Sequence, residues 1–193
     1  MPEEVFLLEP YIPRGGIIVL YGLPTLGKTA IVWSMAQAVQ EGKSWLGFPT
    51  VQANTLLINL DMPMNLVQNR WADATPPFEA AFSAFFDDMS IDCPQFLSSY
   101  PDERHRIIRD KLVDLHARHQ FGLVCVDALR EVVLGDINIS GTPRLIYNAF
   151  KKVFPGAAVL FIHHERKSNV QYGSGDPLQS AAGSMEFMNI AQV

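Results

Sequence analysis

The sequence is poor in cysteine and in long hydrophobic runs. It contains two cysteines, Cys93 and Cys125, and neither belongs to a CxxC pair, which excludes the usual thiol motifs for zinc and redox chemistry and favours a reducing compartment. No run approaches the roughly 20 apolar residues of a membrane-spanning helix. Glu3 and Glu4 stand where a signal peptide carries positive charge. These absences predict a soluble, cytoplasmic protein with no membrane segment.

Charge is also scarce in this chain. Charged residues make up 18% of it, and 15 Lys and Arg against 20 Asp and Glu leave a formal net charge of -5. No general polyanion-binding surface is implied, so any contact with nucleic acid must be local. With 48% hydrophobic residues, the chain is too apolar for intrinsic disorder. Its length of 193 residues suits one domain, so we expect residues 1–193 to form a single unit.

Four short apolar runs dominate the remaining sequence. They are GGIIVLYG at 15–22, TLLINLD at 55–61, GLVCVD at 122–127 and AAVLFIHH at 157–164. None of them alternates polar with apolar residues. Continuous runs of this length, rich in β-branched residues, are typical of strands that are buried on both faces of a parallel sheet.

Three helices are predicted between these strands. The first covers 28–41, is apolar almost all round and stops at Gly42, so we expect it to be largely buried. The second starts near Pro101, and the third begins at Thr142 and ends at Pro155. The predicted buried residues of the latter two are Ile108, Leu112, Leu115, Leu145, Ile146, Ala149, Phe150 and Val153. The alternation predicts an α/β fold, a mainly parallel sheet flanked by helices.

Two further stretches have no predicted role. His116 and His119 stand three residues apart, but no third metal ligand is in view, so they are interpreted as a solvated helix end. Residues 75–100 show no clean period and are predicted as a helix with an irregular loop.

The stretch GLPTLGKT, immediately after the first strand, matches the phosphate-binding loop pattern between a strand and a helix. Glycines let backbone N–H groups turn inward around phosphate oxygens, and the following helix directs its positive end to the same point. Lys28 then reaches the β- and γ-phosphates of ATP, and Thr29 offers its hydroxyl to Mg²⁺. The predicted nucleotide-binding residues are Gly22, Leu23, Pro24, Thr25, Leu26, Gly27, Lys28 and Thr29.

The alternative for this loop is a glycine-rich turn that only joins strand to helix. The four fixed positions coincide by chance in about one chain in a hundred of this length, and the flanking strand and helix make a coincidence rarer still. Thr25 stands where many such loops have a further glycine, so we expect a stiffer loop than usual.

Asp127 ends the apolar run LVCVD and is a candidate metal ligand. The carboxyl ends of parallel strands form the edge at which ligands bind in open α/β sheets. An acid at this edge can hold Mg²⁺ through water. The alternative is an aspartate that caps the turn after the strand, and the neighbouring phosphate loop favours the metal.

Several motifs together resemble the RecA-like ATPases, in particular the hexameric replicative helicases of the plasmid RepA type and the DnaB type. The lead-in IPRGGIIVLYG and the loop GLPTLGKT are similar to the entry of that fold, LLINLDMP to a strand that ends in an acid followed by Met and Pro, and LVCVDAL to its Walker B strand. VLFIHHERKS is similar to a strand with HH and a nearby Lys, and AAGSMEFMNIAQV to a helix before a further strand. The resemblance covers most of the chain except about residues 75–100, and it implies a RecA-like P-loop fold without its later strands.

The resemblance implies catalytic roles for further residues. Asp61 takes the position of the catalytic base, usually Glu in the family, and His164 that of a sensor that touches the γ-phosphate. Lys167, with Arg166 as the other candidate, takes that of a basic residue that acts on the nucleotide of a neighbouring subunit. From the residues alone, Asp61 can instead cap a helix, and His163 and His164 can be an ordinary strand end with one buried ring.

The resemblance also implies a homo-oligomer, a ring or filament that acts on single-stranded DNA. Residues 165–180 follow the sensor strand, are polar and contain Arg166, Lys167 and Tyr172, which can meet phosphates and stack on bases. A surface loop of the same composition is the alternative. The net acidity and Asp61 also suit a nucleotide-dependent regulatory switch that binds a protein and no DNA. A small-molecule phosphotransferase ranks last, since no arginine-rich lid is evident.

Overall fold

The computed structural model describes residues 5–61, 101–132 and 142–164. Its strands are β1 (Phe6–Leu8), β2 (Ile12–Pro13), β3 (Ile17–Gly22), β4 (Thr55–Asn59), β5 (Leu123–Asp127) and β6 (Ala158–His164). Its helices are α1 (Lys28–Glu41), α2 (Glu103–His119), α3 (Leu129–Val132) and α4 (Thr142–Val153). The four predicted strands and three predicted helices are confirmed. The predictions for residues 75–100 and for the C-terminal stretch fall outside the described residues.

The central sheet has four parallel strands in the order β3, β6, β5, β4. The chain crosses from β3 at one end of this order to β4 at the other, and then returns through β5 to β6. Since all four strands run the same way, their last residues, Gly22, Asn59, Asp127 and His164, share one edge of the sheet. The α/β fold with a mainly parallel sheet is therefore confirmed. In open sheets of this kind, the edge formed by the carboxyl ends of the strands is where ligands bind.

Each face of the sheet is covered by its own apolar cluster. Helix α1 and the β1–β2 hairpin cover one face, where Val32 and Leu57 are buried together. Helices α2 and α4 cover the other face, where Ile58 and Phe150 are buried. Adjacent strand residues such as Leu57 and Ile58 belong to opposite clusters because strand side chains alternate between faces. Burial on both faces explains the continuous apolar runs in the sequence.

Helix α1 has the predicted bounds but not the predicted burial. It ends before Gly42, which adopts a left-handed φ of 65° and donates its N–H to the carbonyl of Val39 at 3.3 Å, a closure that glycine makes without Cβ strain. We expected a largely buried helix, but Ala30 and Ile31 are exposed. The helix packs on the sheet with one side only, so its apolar composition leaves these two side chains on the outer side.

Two further expectations of burial are wrong. Leu145 of α4 is 37% exposed, whereas Tyr147 is buried. In β3 only Ile17 is fully buried. Within the described sheet, β3 lies at one end of the strand order, so it has one neighbouring strand there instead of two.

His116 is buried, which corrects its interpretation as part of a solvated helix end. It is 7% exposed, its ring stacks 6.2 Å from the ring of Phe121, and it meets Phe154 edge to face at 5.5 Å. Its Nε2 atom lies 3.3 Å from the carbonyl oxygen of Pro155. Phe154 and Pro155 follow α4, so a contact distant in sequence buries His116. His119 is exposed, as expected.

Helix α2 begins with an acidic cap. The carboxylate of Asp102 accepts a hydrogen bond from the backbone N–H of His105 at 2.9 Å and lies 2.7 Å from Nδ1 of the same residue. These contacts hold the pKa of Asp102 below its ordinary value, and the backbone hydrogen bond is the largest cause. A carboxylate at this position satisfies a free backbone donor of the first helical turn.

The antiparallel hairpin of β1 and β2 was not predicted. Its strands have three and two residues, too few for a period to show in the sequence. Contacts with a later segment hold it in place, since Leu8 pairs with Thr50 and the N–H of Val51 donates to the carbonyl of Leu7 at 2.9 Å.

None of the helices in the described part of the chain is both long enough and apolar enough to cross a membrane.

Candidate functional site

The predicted phosphate-binding loop joins β3 to α1. Gly27 precedes the helix with a φ of 78°, and its carbonyl accepts the hydrogen bond of Ile31 N–H at 3.0 Å. Thr25 also has a positive φ, 68°, although this conformation costs a residue with a Cβ about 1 kcal/mol or more. Two residues of the loop, Thr25 and Gly27, thus adopt left-handed backbone conformations.

Lys28 is turned into the loop. The residue is 6% exposed, and its Nζ donates to the carbonyl oxygens of Gly22 at 2.8 Å and Leu23 at 2.6 Å. The ammonium group therefore lies against the start of the loop instead of in solvent. A buried positive charge at this point suits an anion, because a nearby negative charge stabilises it.

Helix α1 directs its N-terminus at the same loop. No side chain caps this end, and the first turn contains no acidic residue. The positive end of the helix dipole and the free backbone donors of the first turn are thus not compensated by side chains of the helix itself. Phosphate oxygens fit such an end.

Asp127 lies beside the end of the loop. Its Oδ2 accepts a hydrogen bond from the hydroxyl of Thr29 at 2.7 Å, and the residue is 0% exposed. Cys125, two residues earlier on β5, belongs to the cluster beneath α1. Strand alternation therefore places Asp127 on the same face, toward the helix that carries Thr29.

Asp127 ends a strand whose other residues are apolar and buried. Burial raises the pKa of the Cys125 thiol well above its ordinary value, and the charge of Asp127 raises it further. Val126 and Ala128 are also buried. In such a medium of low dielectric, the attraction between a carboxylate and a cation is stronger than in water.

The oxygen atoms of Thr29 and Asp127 fit a magnesium ion. Hydroxyl and carboxylate oxygens are hard ligands, which Mg²⁺ prefers, and Mg²⁺ in nucleotide sites is bound by few protein oxygens together with substrate phosphates. The 2.7 Å contact shows that both side chains meet at one point. This point lies next to the loop that is predicted to enclose the phosphates.

Backbone register places other predicted site residues at the same edge. His164 pairs with Gly22 across β6 and β3, so it is level with the first residue of the loop. Asp61 is exposed in a bend, two residues after β4 ends. His163 is 4% exposed with its ring 6.1 Å from that of Tyr21, so one ring at this strand end is buried.

Asn59 is a polar residue at this edge that sequence analysis missed. It ends β4, is buried and pairs in register with Asp127. The signal in the sequence was an amide at the end of the apolar run TLLIN. Lys167, Arg166 and the predicted DNA-contact loop 165–180 lie outside the part of the chain that the structure describes.

Comparison with known proteins identifies the family of this chain. A family profile described as AAA domain matches residues 2–170. Among solved structures, a KaiC-like protein from the hyperthermophilic archaeon Pyrococcus horikoshii OT3 is similar with a TM-score of 0.49 and 13% sequence identity, over 96% of this chain and 73% of that chain. No curated protein matches the chain. Because the AAA domain profile spans most of the sequence, the chain belongs to the AAA domain family, as an ATP-binding P-loop core.

Proposed function

We propose that the chain is a magnesium-dependent ATPase that forms the motor core of a DNA helicase or of a related replication or recombination protein. The observation that carries the ATPase proposal is the 2.7 Å hydrogen bond from Thr29 to Asp127, which joins the end of the phosphate loop to the end of β5. The helicase proposal rests on the resemblance of LLINLDMP and VLFIHHERKS. In this proposal residues 1–193 act as a single core.

The loop residues bind and orient the triphosphate. Backbone N–H groups of the loop and the first turn of α1 donate to phosphate oxygens. Lys28 exchanges the carbonyl oxygens of Gly22 and Leu23 for oxygens of the β- and γ-phosphates. Its charge then lies where negative charge grows as the γ-phosphoryl group is transferred, which lowers the barrier.

Thr29 and Asp127 would hold the magnesium ion. When bound, Mg²⁺ neutralises charge on the β- and γ-phosphates. Asp127 orients the hydroxyl of Thr29 through the hydrogen bond that it accepts. Its burial supports this role, because a buried carboxylate is stabilised by a cation or by hydrogen-bond donors.

Asp61 is proposed as the base and His164 as the sensor. Asp61 lies at the carboxyl edge and is exposed, so its carboxylate can polarise the water that attacks the γ-phosphate. His164 ends β6 in register with Gly22, and this position supports a contact with the γ-phosphate.

The active form is proposed to be a homo-oligomer in which Lys167 completes the site of the neighbouring copy. Leu26 is 65% exposed in the loop, and Ile31 is 40% exposed near the start of α1. Exposed apolar side chains beside a site suit a contact with a second protein surface. A lysine from that surface stabilises the charge of the transition state more than that of bound ATP.

Single-stranded DNA is proposed to bind residues 165–180. This stretch contains Arg166, Lys167 and Tyr172 and follows β6 directly. Cationic side chains pair with phosphates, and an aromatic ring stacks on bases without regard to sequence.

A nucleotide-dependent regulatory switch is the second candidate function. The net charge of -5 disfavours a broad DNA-binding surface. Asp61 is one methylene shorter than the Glu usual at this position, which favours slow hydrolysis and a persistent ATP-bound form. Such a protein binds a protein partner and no DNA.

Stimulation of ATP hydrolysis by single-stranded DNA separates the two functions. For a motor we expect a several-fold rise in kcat with an oligothymidylate, and we expect the rise to vanish at high salt because phosphate contacts release counterions. The variant Arg166→Ala should lose part of the rise, whereas Lys152→Ala, an exposed lysine of α4, should keep it. A rate that DNA leaves unchanged at every salt concentration favours the switch.

A further inference from the structure

We infer that Asn59 is a positioning residue for the carboxylate of Asp127. Through this carboxylate it changes the affinity of Thr29 and Asp127 for magnesium. Its effect on metal binding rests on the proposed magnesium-dependent ATP chemistry. Asn59 is the last residue of β4, and its register partner is Asp127, the last residue of β5. Neither the phosphate-loop motif nor the family resemblance gives this residue a role.

Burial is the first observation. Asn59 is 6% exposed and Asp127 is 0% exposed. All five residues of β4 are buried, and the three between Thr55 and Asn59 are apolar. A buried amide is unfavourable unless a polar group meets it. An aliphatic residue would fill the same space without that requirement, so the amide points to a polar neighbour.

The direction of the side chain is the second observation. Leu57 and Cys125 stand two residues before Asn59 and Asp127, and both belong to the cluster beneath α1. Side chains two residues apart on a strand share a face, so Asn59 and Asp127 also face α1. Neighbouring strands lie about 4.8 Å apart, which makes these register partners adjacent.

The backbone fixes this pair at the strand ends. The N–H of Leu60 donates to the carbonyl of Asp127 at 2.5 Å, so the pairing of β4 with β5 continues past the last residue of β4. The two side chains therefore start from backbones that this bond holds together.

The chemistry of an amide suits the position. Asn carries two N–H donors and one acceptor and has no charge. Asp127 already accepts from Thr29 through Oδ2, and an adjacent amide orients the carboxylate further without cancelling its negative charge. A lysine or arginine here would compete with the metal ion. Residues that orient a metal-binding side chain typically change metal affinity by about 10- to 100-fold.

The first test is the magnesium dependence of Asn59→Leu. We expect the Mg²⁺ concentration for half-maximal ATP hydrolysis to rise about tenfold, with the affinity for metal-free ATP unchanged. Thr55→Val is the matched control, because Thr55 is also buried and polar but stands at the other end of β4, away from Asp127. If circular dichroism shows that the leucine variant is unfolded, Asn59→Ser replaces it with the same expectation. Wild-type magnesium dependence in a folded variant overturns the inference.

The second test needs no nucleotide and so separates this inference from the proposed function. Urea unfolding is measured for Asn59→Leu, Asp127→Asn and the double variant. If the two side chains interact, the factors by which Asn59→Leu and Asp127→Asn change the unfolding equilibrium constant do not multiply to give the factor for the double variant. We expect the product and the measured factor to differ about fivefold or more. For the pair Thr55→Val and Asp127→Asn, the two factors should multiply. If the wild-type chain shows no magnesium-dependent ATP binding, the proposed function is wrong. The unfolding measurements alone then show whether Asn59 and Asp127 interact. Changes that multiply for Asn59 and Asp127 overturn it in either case.

Discussion

The hydroxyl of Thr29 donates a hydrogen bond of 2.7 Å to the carboxylate of Asp127. Thr29 ends the phosphate loop and Asp127 ends β5, and 98 positions separate them in the sequence. They meet because the parallel sheet ends all its strands at one edge, from which α1 also starts. We propose on this basis that the loop, α1 and Asp127 form one site for ATP and magnesium.

Replacement of Asp127 by Asn should weaken the effect of magnesium more than the affinity for nucleotide. The amide oxygen can still accept from Thr29, but the negative charge that attracts the cation is gone. The measurement is the ratio of the ATP affinity with Mg²⁺ present to the ATP affinity with EDTA present, obtained by calorimetric titration. We expect this ratio to fall about tenfold in the variant. Asp114→Asn, at an exposed position of α2, is the control. Equal magnesium dependence in wild type and Asp127→Asn would count against a metal ligand.

Alanine in place of Gly27 or Gly42, at the two ends of α1, should lower stability in both variants but ATP affinity in only one. Gly27 and Gly42 have φ values of 78° and 65°, so alanine at either position should destabilise the fold by about 1 kcal/mol from backbone strain. At Gly42 the new Cβ would also lie 3.0 Å from Cβ of Gln52, whereas at Gly27 it meets nothing within 4 Å. Urea unfolding should show both losses, but only Gly27→Ala should weaken ATP binding. Unchanged ATP affinity in Gly27→Ala would show that the loop geometry is not needed.

The parallel strands and the helix ends could be predicted because their signals are local. The run TLLIN and the stop of α1 at Gly42 follow from residues that are adjacent in the chain. His116 could not be predicted, because Phe154 and Pro155 bury it from another element. The exposure of Ile31 also depends on which side of α1 meets the sheet, and composition does not specify this.

Only the parts of the candidate site that have local sequence signals could be predicted. The motif GLPTLGKT is local and identifies the loop, while the acid after LVCV identifies a strand end. The contact between Thr29 and Asp127 was expected only as a shared role in metal binding. Asn59 was missed because its register with Asp127 depends on which strands are neighbours, and the order β3, β6, β5, β4 is a property of the whole sheet.

The cap of α2 should make stability depend on pH in the acid range. The pKa of Asp102 in the folded protein lies below its ordinary value of 3.8, so the charged form favours folding. This contribution is fully present above about pH 3.8 and is lost as the pH falls through the lower folded value. Asp102→Ala should lower Tm at pH 7, and its deficit should shrink in melts at successively lower pH below 3.8. Asp110→Ala, an exposed change within the same helix, should show no such trend, and a deficit independent of pH would contradict the assigned cause.

The proposed shared site predicts complementation between two inactive variants. Lys167→Ala should slow hydrolysis and keep ATP affinity, because a lysine that acts in the transition state contributes little to ground-state binding. Mixing it with Lys28→Ala protein should restore part of the activity through interfaces that pair an intact loop with an intact Lys167. The measurement is ATPase rate against mixing ratio, with light scattering in the presence of ATP. A monomer whose rate per molecule is independent of concentration would rule out the shared site.

Calorimetric titration of Mg-ATP into wild type and Lys28→Ala shows whether the loop binds ATP. The buried ammonium of Lys28 donates to Gly22 and Leu23 at the start of the loop, and its loss removes the positive charge that we propose meets the phosphates. Lys43→Ala, at an exposed lysine just beyond α1, controls for the loss of one charge. The account predicts saturable binding to wild type and Lys43→Ala and none to a folded Lys28→Ala. Unchanged ATP affinity in Lys28→Ala would contradict it.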